Sequence, residues 1–186
     1  MERRVKRIDD FFFYISVAAM VILILSVYLI PYGSSVQRLL IFLGALILFA
    51  SASASRQKVV QAMEVIAIAG VITSILQLAP VYALTVTLVI SAIIIAYLTT
   101  TGYYQKEPIG VVGSIGFVFL AVGFAFDTGS NPLMTGLALG VGSLTIAAYS
   151  AMAYWLYKVR LQVVIMVLNL VFAVSPLLLF LSTIGI

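Results

Sequence analysis

The chain has 186 residues, of which 64% are hydrophobic and only 9% charged, with a net charge of +4. A soluble domain of this length carries about a quarter charged residues, so the composition excludes an ordinary globular protein. It contains no histidine and no cysteine. That removes His-ligated haem, iron–sulfur clusters, the usual zinc sites and thiol chemistry, so no cofactor is expected.

About twenty apolar residues cross the hydrocarbon core of a bilayer as a helix. Seven such stretches follow one another, at roughly 11–30, 36–55, 59–79, 81–101, 109–126, 132–157 and 161–185. The expected fold class is an all-α integral membrane protein of seven transmembrane helices, forming a single transmembrane domain over residues 1–186.

The first span follows a basic cluster, Arg3, Arg4, Lys6 and Arg7. Such a cluster also opens a signal peptide, but the apolar run is longer than the 7–15 residues usual there, so it is read as an anchor. Turn chemistry at Pro31-Tyr32-Gly33-Ser34-Ser35 leads into the second span, which ends at Arg56 and Lys58. The third span holds Gln61 and Glu64. Glu64 sits on the order of 9 Å into the helix from Lys58, at 1.5 Å per residue. A carboxylate at that depth is protonated, paired or facing water. Gln61 shares its face at i−3. The alternative reading has Glu64 near the interface, bridged to Arg56, Lys58 or Lys158, with Asn169 serving to glue two helices.

A tight hairpin is expected at Pro80, leading into the span over 81–101. The hydroxyls of Ser51, Ser53, Ser55, Thr85, Thr87 and Ser91 are candidates for binding a polar solute, but such groups more often satisfy their own backbone. After the fifth span, Phe126-Asp127-Thr128-Gly129-Ser130 looks like the signature of pepsin-type aspartic proteases. That chemistry needs two carboxylates sharing a proton. The other aspartates, Asp9 and Asp10, fall on the opposite side of the expected membrane, so the segment is read as a turn. The sixth span carries Gly136 and Gly140, a GxxxG pair that permits close helix approach within the chain or, more sharply, in a homo-oligomer. The seventh span places Gln162 and Asn169 on one face and carries Pro176, a kink and hinge candidate.

Charge sets the orientation. With the N-terminus in the cytoplasm, nine of the ten basic residues fall inside: Arg3, Arg4, Lys6, Arg7, Arg56, Lys58, Lys106, Lys158 and Arg160. Only Arg38 falls outside. Merging the spans around Pro80 would move Lys106, Lys158 and Arg160 outside, so seven spans fit better. The expected location is the cell membrane, with the C-terminus extracytoplasmic. Basic residues at span ends do not form the interleaved basic–aromatic face of a nucleic-acid binder. Phe11 to Tyr14, Tyr103, Tyr104, Tyr154, Trp155 and Tyr157 fit an interfacial belt at the inner side, and Tyr28, Tyr32 and Tyr82 one at the outer side.

The two ends of the chain follow one plan. Each runs through a charged cluster, a span, a Gly-Ser turn (Gly33-Ser34; Gly129-Ser130), a second span, a basic pair, a glutamine (Gln61; Gln162) and a third span. This suggests a 3+1+3 parallel repeat of triads 8–79 and 106–186, joined by a linker helix at 81–101. Transporters carry such repeats, with solute sites between them. The layout resembles the seven-helix SWEET sugar transporters and the related PnuC-type vitamin transporters. Trp155-Leu156-Tyr157 followed by Asn169 is similar to that group's Trp–Tyr and later Asn. The likeness covers the last two spans; the Pro-Gln pair of the PQ-loop relatives is absent, and the cytoplasmic N-terminus is opposite to the usual SWEET orientation.

The sequence therefore leads to a non-enzymatic small-solute transporter or channel. Its polar site is expected between the third and seventh spans, with Gln61, Glu64, Gln162 and Asn169 lining a cavity that leans toward the cytoplasm. The alternative is a non-catalytic membrane subunit or scaffold, with a dry bundle and an exposed Gly-rich face on the fifth and sixth spans.

Overall fold

A computed structural model describes residues 2–30, 34–126 and 131–185, with only the backbone described for residues 2–9. The described residues are all-helical: α1 Glu2–Leu29, α2 Ser35–Ala54, α3 Lys58–Ile75, α4 Pro80–Thr100, the single turn α5 Tyr103–Lys106, α6 Gly110–Phe126, α7 Pro132–Tyr157 and α8 Arg160–Thr183. Six of these are long and apolar enough to cross a membrane; α6, with 17 residues, is apolar but shorter. At 1.5 Å per residue α6 spans about 26 Å, a little under the ~30 Å hydrocarbon thickness. The Asp127–Ser130 segment, with its protease-like motif, and the Pro31–Gly33 part of the first turn lie outside the described residues.

Each boundary has a local cause. Ser34 caps α2 by accepting from the Gln37 amide at 3.2 Å, and Asn131 caps α7 by accepting from Met134 at 3.0 Å. Pro80 and Pro132 open α4 and α7, where a missing amide costs nothing. The tight hairpin at Pro80 forms without a glycine. Gln77 adopts φ +52°, its amide bonds Ser74 and the next amide bonds Thr73, which closes α3 with a Schellman turn. Arg56 repeats the device after α2, at φ +56°, with bonds to Ser53 and from Gln57 to Ala52.

The long helices form a closed ring. α1 packs on α2, α2 on α3, α3 on α6, α6 on α7, α7 on α8, and α8 returns to α1. The Tyr28 hydroxyl fastens that last contact by donating to the Val171 carbonyl at 2.7 Å. α4 stands outside the ring against α6 and α3, and Thr87 on it donates to the Ala121 carbonyl at 3.2 Å. Glycines bring α6, α7 and α8 close: a Cβ on Gly136 would lie 2.7 Å from the Pro176 carbonyl oxygen, and one on Gly142 would lie 2.9 Å from the Leu120 amide nitrogen. Below them Ile66, Phe117, Ile146, Tyr149 and Ile165 are fully buried and make a solid core toward the end of the bundle that carries Arg56, Lys58, Lys106, Lys158 and Arg160. This is termed the basic end.

A central cavity between six helices

The ring encloses a cavity of about 160 Å³ to which all six ring helices contribute and α4 does not. Its lining fixes its direction. α1, α6 and α8 contribute residues from about the middle to the second half of each helix, among them Val27, Phe124 and Leu179, and α3 contributes from Met63 and Glu64, a third of the way along, to Ser74 near its end. α2 and α7 contribute residues from their first half, such as Arg38 and Thr135. The cavity thus runs from mid-bundle toward the end where α2 and α7 begin, away from the basic end. The expected lean toward the basic, cytoplasm-assigned side is corrected, because the aliphatic and aromatic core fills that half.

Glu64 and Asn169 both line the inner end of this cavity. Both are buried, at 3% and 4% exposure. Asn169 donates through Nδ2 to the Ile165 carbonyl at 2.9 Å and contacts Met63 Sδ at 3.9 Å, joining α8 to α3. Glu64 Oε1 is buried with no hydrogen-bond partner among the described residues. The alternative of a Glu64 bridged to Arg56, Lys58 or Lys158 is not realised. The ion pair found among the described residues is Arg160–Asp10, at 3.0 Å on the surface.

Gln61 and Gln162 do not join them. Gln61 turns back to donate to the Ala52 carbonyl at 3.2 Å, and Gln162 donates to Gln57 Oε1 at 2.6 Å. Both sit in the first turn of their helices, where unpaired backbone and turn groups attract polar side chains. They knit the α2–α3 turn to α8 below the cavity. Of the six candidate hydroxyls, Ser51, Thr85, Thr87 and Ser91 donate to carbonyls of their own helix, and none of the six lines the cavity. Trp155 is 72% exposed, so of the residues that carry the SWEET resemblance only Asn169 lines it.

Pro176 does line the cavity, within an α8 that continues through it. Its ring withholds the amide that would otherwise bond the Phe172 carbonyl. Gly136 and Gly140 face α8 of the same chain, against Pro176, Leu177 and Phe180.

Sequence reasoning missed Arg38. A lone cation near the start of a span reads as a topology exception, yet Arg38 is half-buried, lines the cavity, and has its Nε buried without a partner among the described residues. Only its position one turn inside an apolar helix could have flagged it. Between Arg38 and Glu64 the walls are mostly apolar, with Ile41, Leu120, Phe124, Leu139 and Phe172 beside the hydroxyls of Ser143 and Ser175.

The basic end is closed by polar contacts of another kind. The buried Tyr149 hydroxyl donates to Glu107 Oε1 at 2.8 Å, and Tyr104 shares a 2.6 Å hydrogen bond with Ser114. Burial pushes the Tyr103 hydroxyl well above the usual phenol range, and the nearby Glu107 carboxylate adds to the shift. Comparison with known protein families, with characterised proteins and with solved structures finds no match for this chain.

Proposed function

We propose that the chain is a small-solute transporter or channel of the cell membrane, crossing it seven times, with its solute site at Glu64 and Asn169. The observation that carries this reading is the Glu64 carboxyl, buried and unpartnered at the inner end of a cavity walled by six helices. Ionisable groups at membrane depth are expensive, and those that persist face a pathway, a partner or water. A scaffold has no use for such a group. It would instead present small residues outward, whereas Gly113, Gly116, Gly123, Gly136, Gly140 and Gly142 are all buried here.

In this reading the basic end is cytoplasmic by the positive-inside rule, and the cavity faces outward. The order of the ring supports the repeat. Exchanging α1, α2, α3 for α6, α7, α8 maps every neighbouring pair of the ring onto another, including α3·α6 onto α8·α1. Transport then needs the basic end to open, with Pro176 as the hinge of α8.

A chain without cysteine makes the test direct. Single cysteines at Leu139 and Ser143, in the cavity, are exposed to an impermeant thiol reagent in proteoliposomes, beside one at Val60 in the solid core. The proposal expects the first two to react from the outer side and the third to stay inert. Unreactive cavity cysteines would mean a dry bundle and favour the non-catalytic subunit reading.

A further inference from the structure

Two ionisable groups face one largely apolar cavity without pairing. Glu64 Oε1 lies at its inner end and Arg38 Nε toward its outer end, both buried and both without partners among the described residues. They are not within ion-pair distance, and their helix positions explain why. Counted from either end of the α2–α3 hairpin, their Cα atoms differ in height by roughly 12–15 Å at 1.5 Å per residue. The arginine stem and the shorter glutamate stem close part of that gap. What remains suits a small molecule with a hydrogen bond at each end.

We infer that the cavity is built for a small apolar zwitterion, with its ammonium group on Glu64 and its carboxylate on Arg38. This rests on the solute-binding reading above and names the class of solute. An ammonium group brings several N–H donors. Glu64 Oε1 accepts one, and the Asn169 side-chain oxygen offers a second acceptor, since Asn169 Nδ2 is already engaged with Ile165. A carboxylate meets the guanidinium as a charge-assisted pair, the geometry arginine serves best. Ile41, Leu120, Leu139 and Phe172 line the same cavity with hydrocarbon, which suits the aliphatic or aromatic side chain of an α-amino acid, whose ammonium and carboxylate share one carbon. The volume agrees: apolar cavities of about 150 Å³ take up a benzene-sized molecule.

A ligand carrying one charge leaves the other protein group buried and unpaired. Sites that expect a polar partner reject analogues lacking it far more strongly than they resolve a methylene. Leucine, 3-methylbutylamine and 4-methylpentanoate form the decisive set, because the last two are leucine without its carboxylate or without its ammonium.

Thermal unfolding of the full chain in detergent, with each probe at matched concentration, reads the outcome by mass action. Leucine is expected to raise the melting temperature by a few degrees, and the amine and the acid to bind on the order of 100-fold more weakly. The leucine shift should vanish in both Glu64→Gln and Arg38→Gln, whose ligand-free melting curves report that they fold. An amine as effective as leucine would overturn the inference in favour of a cation site, and an equally effective acid in favour of an anion site. These wild-type comparisons stand even if a variant fails to fold. No shift with leucine also sinks the zwitterion. If the Leu139 and Ser143 cysteines still react, the solute cavity survives that failure; if they do not, both readings fall together.

Discussion

The Tyr149 hydroxyl, on α7, donates a 2.8 Å hydrogen bond to the Glu107 carboxylate, 42 residues earlier in the chain. This single contact ties the middle of the ring to the connection between α5 and α6 at the basic end. Tyr149 is fully buried, so its hydroxyl has no water to fall back on. Tyr149→Phe is expected to lower stability by about 1–2 kcal/mol, a fall of a few degrees in melting temperature in detergent. An unchanged melting curve would mean that Glu107 contributes nothing to closing that end.

Tyr103 supplies a pH dependence with a definite sign. Folding favours its neutral form, because burial raises its ionisation above the ordinary phenol value. Its contribution is therefore complete below about pH 10, where the unfolded phenol is also neutral, and declines as pH rises beyond that value. Melting temperature scanned from pH 8 to 11 should fall at the alkaline limit, and Tyr103→Phe should make that limb shallower. A steeper limb in the variant would contradict the assignment.

Gln77 and Arg56 hold left-handed turns that glycine adopts without strain, at φ +52° and +56°. The left-handed region costs an ordinary residue roughly 1 kcal/mol. Gln77→Gly should accordingly be neutral to stabilising by up to about 1 kcal/mol despite glycine's larger unfolded entropy, whereas the β-branched Gln77→Val should destabilise by a similar amount or more. Paired thermal melts of the two variants decide it, with the order of stability as the readout.

The glycines differ in what surrounds them. A methyl group on Gly136 meets backbone atoms of Pro176 and Phe180, which cannot yield unless α7 and α8 separate. On Gly44 it meets only the Leu23 side chain, which can change rotamer. Gly136→Ala should cost about 2–3 kcal/mol and Gly44→Ala clearly less. Equal melting temperatures for the two would show that the α7–α8 contact is looser than its geometry suggests.

The Arg160–Asp10 pair, by contrast, is a surface feature, with side chains 64% and 39% exposed. Asp10→Asn should change stability by less than about 1 kcal/mol. A larger loss would indicate that the groove beside Phe13 and Lys158 is more enclosed than its exposure implies.

The helices were legible because twenty-residue apolar runs, Pro80, Pro132 and the capping Ser34 and Asn131 are local signals. The one-turn helix Tyr103–Lys106 was not, since four residues after a glycine are too few to show periodicity. Glu64 and Asn169 stood out as candidates from depth alone: both are polar residues well inside apolar runs. Their separation from Gln61 and Gln162 was not readable. Helical spacing puts Gln61 on the Glu64 face, but a side chain one turn from a helix end is captured by the turn beneath it. The direction of the cavity also escaped sequence reading. Helices apolar on every side do not reveal which face meets which neighbour, and only the packed ring shows where large side chains run out.

Because α4 adds no wall to the cavity, its contribution is one of parity. Three helices end on the opposite side from where they began, so a second set of three joined directly would run inverted. On the proposed repeat, one extra crossing restores the original sense and lets both sets close the same ring. Two separate copies of a three-helix chain, inserted alike, would have no need of such a helix. On that proposal, the outward-standing α4 is what lets one polypeptide carry both halves of the ring.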